Sequence, residues 1–241
     1  MTTSGSDKTA PDRRFRVGLV LGAASLLIMG IGLFAVVSAL TDSGVKLPHQ
    51  GSIEDIVGGG AAGATIVPGH VNDNTPAPTG PKPVRIAIPR IYVDAPIVEL
   101  GFEPGTAQPA VPDRGDEAAW YDFNPPPGIG FNALFSGHVD WQTPDHKPVA
   151  GVFYRLRELE IGDLITVTLE DGRTLDYRVT GNVAAQYTDP NVVKAMQPVE
   201  KDVITLMTCG GEWIPNPSEE NGGNYSDRIV VRAERVADGA G

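Results

Sequence analysis

Residues 17–40 read VGLVLGAASLLIMGIGLFAVVSAL, without one charged side chain. A helix of about 20 apolar residues crosses the hydrocarbon of a bilayer, so this run is long enough to span one. The run divides the chain before any other feature does. It leaves a short polar leader at 1–16, a span at 17–40, and a remainder that must fold on one side of a membrane. Lys8, Arg13, Arg14 and Arg16 precede the run. Basic flanks stay on the cytoplasmic side, so the N-terminus is expected in the cytoplasm and the remainder outside the cell. Val37-Ser38-Ala39 offers a small-residue cleavage site, the rival reading of a removed signal peptide. The apolar run exceeds the ~7–15 residues of a signal-peptide core, which favours a single-pass anchor in the cell membrane.

Residues 41–82 contain GGGAAGA and end in a Pro- and Asn-rich stretch. Such a segment buries too little apolar surface to offset the entropy of ordering it, so it is expected to be a flexible linker. Residues 83–241 then form the extracellular domain. Hydrophobic residues make up 41% of the chain, enough for a core even after the anchor is set aside. Formal charge is -11; the leader holds +2, leaving -13 for the rest. A domain that acidic lacks the basic face that phosphate binding needs, and nucleic acid is excluded as a partner. The one cysteine rules out an internal disulfide and any CxxC or Cys/His zinc spacing.

From Val84 onward short β-branched runs alternate with turn signals. Strands are expected at 84–89, 93–100, 131–139, 164–169, 174–183, 203–209 and 228–236. Asp171-Gly172 turns the clearest hairpin. Pro96 places its strand at an edge or a bulge. Helices are expected in GVFYRLREL, where Phe153, Leu156 and Leu159 recur at helical spacing, and in PNVVKAMQP, with proline at its start and stop. Residues 212–227, acidic and rich in Pro, Asn and Gly, read as a loop. Many short strands with few helices favour a closed barrel, which leaves no exposed edges.

Cys209 ends the apolar run VITLMTC and precedes two glycines. By itself it reads first as a small buried hydrophobe. His138, in FSGHVDW, also follows an apolar run and a glycine, unlike His49, His70 and His146, which lie in polar or linker sequence. Imidazole exchanges protons with a thiol and a leaving amine, yet one histidine alone also fits a core position. Arg228 opens the last strand; a guanidinium near a thiol can stabilise an oxyanion, though a lone arginine fits equally an exposed pair with Asp227.

As an ordered set these residues resemble the sortases, cell-wall cysteine transpeptidases of Gram-positive bacteria. RIAIPRIYVDAPIVELG, GFNALFSGHVDW, GDLITVTLEDGRTLDYRV, ITLMTCGG and SDRIVVRAE carry the resemblance across 84–236. SGHVDW and TCGG are most similar to the actinobacterial class F group, with class E second. The resemblance implies a mostly β, sortase-like barrel with a few short helices. It implies that Cys209 attacks an LPxTG-like sorting signal to form a thioester, that His138 protonates the leaving amine, and that Arg228 holds substrate and oxyanion. Thr208 is implied in shaping the binding groove. The acceptor is a peptidoglycan or pilin amine, and no cofactor or metal is implied. In class F relatives the last strand often opens Tyr-x-Asp-Asn; here Tyr225-Ser226-Asp227-Arg228 puts arginine in the asparagine place. Arg232, further along that strand, is expected to be replaceable by alanine with little effect on turnover. Two other readings stand beside this one: a hydrolytic peptidase of the same fold, and a tethered binding module with an inert, buried Cys209.

Overall fold

The computed structural model describes residues 51–58, 79–142, 147–218 and 222–237. Among them no helix is long and apolar enough to cross a membrane. The leader and the span expected at 17–40 lie outside these residues, as do His49, His70 and His146.

Eight strands close into one barrel: β1 (Pro83–Ile88), β2 (Val93–Leu100), β3 (Ala118–Tyr121), β4 (Asn132–Gly137), β9 (Val203–Pro215), β10 (Gly223–Arg235), β8 (Thr174–Gln186) and β7 (Leu164–Leu169), in that order around the wall. The short strands β5 (Asp140–Gln142) and β6 (Pro148–Ala150) pair as a separate ribbon. The interior holds Ile86, Phe135, Phe153, Leu156, Ile165, Tyr177, Leu206 and Val231, among others. Side chains alternate across a strand. On β9 Ile204 and Leu206 therefore enter the barrel, while Met207 faces an outer cluster with Val183, Val192 and Val230.

Pro96 occupies an instructive place. Residues 93–96 of β2 pair with β1, and residues 97–100 pair with β3. The missing N–H thus falls where β2 exchanges one neighbour for the other, so the edge that proline requires exists inside a closed barrel.

Three sequence expectations need correction. Residues 151–159 form no α-helix; they are turns followed by a 3-10 turn at Leu156–Glu158. Residues three apart share a side in a 3-10 turn as well, so Phe153, Leu156 and Leu159 are all buried as their spacing implied. The segment 212–227 is mostly hairpin, because β9 continues to Pro215 and β10 begins at Gly223. Cys209 therefore sits inside a strand and not at its end. Inside the expected linker, finally, Ile53–Gly58 forms a helix, α1, with Ile53 and Ile56 buried in the outer cluster.

The second helix, α2 (Pro190–Met196), matches its proline-bounded sequence and starts on Asp189, whose side chain accepts from Asn191 N. The last carbonyls of a helix lack partners within it. Here Asn132 Nδ2 donates to the carbonyls of Ala195 and Gln197, Asn124 Nδ2 donates to that of Met196, and Arg232 Nη2 donates to that of Ala195. Thr205 Oγ1 donates to Asn132 Oδ1 at 2.7 Å. This buried polar set joins β4, β9 and β10 beneath α2.

Candidate active site

The arrangement around Cys209 follows from strand register. β9 runs between β4, parallel to it, and β10, antiparallel to it. Cys209 pairs directly with Arg228. Ser136 pairs with Met207, so His138 and Cys209 each lie two residues beyond the last aligned pair. Met207 and Val230 belong to the outer cluster, and by alternation Cys209 and Arg228 share that outward face. Of the sequence-expected residues, Cys209 and Arg228 thus lie on adjacent strands, and His138 follows directly on the end of β4, the strand on the other side of β9.

Cys209 is half-buried, and its thiol is free. Burial pushes the thiol up from its usual range; the Arg228 guanidinium pulls it back down, and the Asp140 carboxylate adds to the rise. Just past the cysteine the ladder bulges: Trp213 pairs with Tyr225, but Asp227 pairs with Gly210. Gly211 takes φ 77°, and a Cβ there would lie 2.1 Å from Ser226 Oγ, so the bulge needs glycine. The turn that the glycines signalled in the sequence is this bulge.

His138 is clamped through backbone and ring. Its carbonyl accepts from Phe153 N, and the carbonyls on either side accept from Thr208 Oγ1 and Gly151 N. Gly151 packs so closely that a Cβ would lie 2.3 Å from the His138 carbonyl oxygen. The ring lies 4.8 Å from that of Trp141, and Nε2 is 2.8 Å from the Pro112 carbonyl oxygen. A carbonyl only accepts, so this contact places the proton on Nε2 and leaves Nδ1 the unprotonated nitrogen of the neutral ring.

The Arg228 guanidinium donates to the carbonyls of Tyr225 and Asp227 and to Asn224 Oδ1, and lies 5.7 Å from the Tyr187 ring centre. These bonds fix its place beside the thiol. The Thr208 hydroxyl donates to the Gly137 carbonyl at 2.8 Å, which ties β9 to the histidine strand.

A cavity of about 110 Å³ opens beside the thiol, lined by Thr208, Cys209, Tyr225, Asp140, Tyr154 and Arg157 among others. Tyr225 donates to Asp140 Oδ2 at 2.5 Å. Burial and that carboxylate push the phenol up to about 12, so it keeps its proton at neutral pH. Asn182 Nδ2 donates to the carbonyls of Leu156, Arg157 and Leu159, which holds the cavity wall at Arg157 against β8. Sequence reading passed over Asp140, Tyr225 and Arg157. Asp140 carried a signal, two places after His138 in SGHVDW; Arg157 carried none, because its segment read as an ordinary helix.

A thiol, an imidazole and a guanidinium so placed suit nucleophilic attack on a carbonyl, with proton exchange at the ring and a positive charge beside the developing oxyanion. The family model described as Sortase domain matches residues 86–236. Three similar solved structures are sortase C-1 of Actinomyces oris, sortase A of Corynebacterium diphtheriae and sortase A of Listeria monocytogenes. The first is 24% identical, with 65% of this chain and 76% of that one covered and a TM-score of 0.46. The second is 24% identical, with 70% and 66% covered and a TM-score of 0.43. The third is 20% identical, with 64% and 86% covered and a TM-score of 0.44. No curated protein matches the chain.

Proposed function

Because the chain belongs to the sortase family of cysteine transpeptidases, we propose that it cleaves an LPxTG-like sorting signal at Cys209 and transfers the acyl part to an amine of peptidoglycan or a pilin. The Cys209 thiolate attacks the scissile carbonyl carbon, a C–S bond forms, and the C–N bond breaks as His138 protonates the departing amine. The acceptor amine then attacks the thioester, forms a new C–N bond, and releases the thiolate. Arg228 sits beside the oxyanion in both steps, and Thr208 shapes the groove. The observation that carries this reading is the pairing of Cys209 with Arg228 on one side and the alignment of the His138 strand on the other.

SGHVDW and TCGG support a place in the actinobacterial class F group, with class E next. The uncharged run at 17–40 and the bases before it support a single membrane span with the catalytic domain outside the cell. A half-buried thiol lining an open cavity speaks against an inert binding module. The test is incubation of the full chain with LPxTG-like peptides and amines, followed by mass spectrometry. An amide product supports transfer, a free acid alone supports the hydrolytic alternative, and intact peptide throughout overturns the reading.

A further inference from the structure

Resting on that transpeptidase reading, we propose that the cavity beside Cys209 is the acceptor subsite and that it selects an amine with a carboxylate next to it, an amino-acid-type zwitterion. Asp140 holds the ammonium and Arg157 the carboxylate.

Three observations lead there. Asp140 and Arg157, of opposite charge, line the same cavity as the thiol. The hydroxyl of Tyr225 donates to Asp140 Oδ2, which fixes the carboxylate in the cavity wall. The third is a conflict within the site. Asp140 opposes ionisation of Cys209 and so works against the first half of the reaction. Its charge has a use in the second half, where the acceptor arrives as an ammonium ion. A cavity of about 110 Å³ has room for several waters, and so for an amino-acid head group.

In the transfer step the docked ammonium loses one proton to solvent and its nitrogen attacks the thioester carbonyl. The C–N bond forms and the C–S bond breaks, with its electron pair returning to sulphur. The second proton leaves through the imidazole of His138. Asp140 and Arg157 bind and aim the nucleophile and take no part in the bond changes.

The test uses the full chain, an LPxTG-like peptide, and three acceptors of equal size: alanine, alaninamide and 3-methylbutan-2-amine. Acceptor KM and the split between amide and free acid are read by mass spectrometry. Alanine is expected to show the lowest KM, by about tenfold, as befits hydrogen bonds to charged groups. Asp140→Asn should raise KM about tenfold for all three. Arg157→Gln should raise it for alanine alone and erase the preference. Equal KM values for the three acceptors in the wild type, or an Asp140→Asn variant that loses cleavage and transfer in the same proportion, overturn the subsite. Cleavage with water as the sole acceptor overturns it while leaving peptide cleavage at Cys209 intact. Absence of any cleavage overturns the transpeptidase reading as well.

Discussion

Arg228 faces Cys209 directly across the β9–β10 ladder, and its guanidinium lowers the pKa of a thiol that burial raises. The same guanidinium is held by two backbone carbonyls and by Asn224, so its charge stays put when the thiol ionises. Lysine offers the charge without the planar fork. Turnover should fall about 10²–10³-fold in Arg228→Ala, on the scale of one lost oxyanion donor, and recover in part in Arg228→Lys. A peptide-cleavage assay on folded variants decides it; normal turnover in Arg228→Ala would remove the arginine from the mechanism.

Cys209→Ala should abolish both cleavage and transfer and keep the fold. The side chain is small and half-buried, so its loss leaves little cavity. Mass spectrometry should find no acyl-enzyme, and circular dichroism should match the wild type.

His138→Ala is expected to cost about 10²–10⁴-fold, the usual share of general acid–base catalysis. The backbone clamps on His138 survive this change, because Phe153 N, Gly151 N and Thr208 Oγ1 all bond to carbonyls. The loss should therefore appear in turnover with little change in melting temperature.

Alkylation of Cys209 by iodoacetamide should report the electrostatics directly. Since the thiolate is the reactive form and its pKa is raised, labelling should still be climbing above pH 9. Asp140→Asn removes a negative charge and should move the midpoint down, whereas Arg228→Ala should move it up. An unmoved midpoint in either variant would mean that the group in question does not face the sulphur.

Arg232 keeps its expectation of little effect on turnover and gains a structural part. It is 7% exposed, Nε has no partner among the described residues, and burial pushes the guanidinium down to about 10 while the Glu234 carboxylate works the other way, so it remains charged at neutral pH. It can serve as a control for turnover and not for stability. Arg232→Ala should destabilise the domain by about 2 kcal/mol or more through the cavity it leaves. Arg232→Met, which fills the space without the charge, should match or exceed wild-type stability. Urea denaturation of the two variants checks both statements.

Much of the barrel was legible because its strands carry β-branched runs and its clearest turn carries Asp-Gly. Cys209, His138 and Arg228 stood out in the sequence as an ordered set, and strand register gathers Cys209 and Arg228 beside the end of the His138 strand. What stayed hidden has physical causes. Spacing by three does not separate an α-helix from a 3-10 turn, and residues 156–158 took the tighter form. Gly210-Gly211 signals a break, but a bulge satisfies that signal within a continuing strand. The isoleucines of α1 sit in a short segment beside GGGAAGA, where six residues of helix make a weak pattern. A chain of residues 83–241 is still expected to fold, but it gives up the burial of Ile53 and Ile56, each worth about 1.5–3 kcal/mol before the entropy of ordering the helix is set against it. Its melting temperature should lie several degrees below that of residues 47–241, on the scale of about 2–4 °C per kcal/mol. Equal values would show that α1 contributes nothing to the domain.

The three neighbouring strands give the site a parity. Cys209 and Arg228 reach the outward face because each stands an even number of residues from Met207 and Val230 on its own strand. Deleting one residue upstream in β9 turns the thiol into the barrel, while deleting two keeps its side and slides it along the wall. Lengthening the connection between Pro215 and Gly223 changes neither. Evolution and engineering can therefore vary that connection freely, whereas Cys209 and Arg228 tolerate change in their strands only in steps of two.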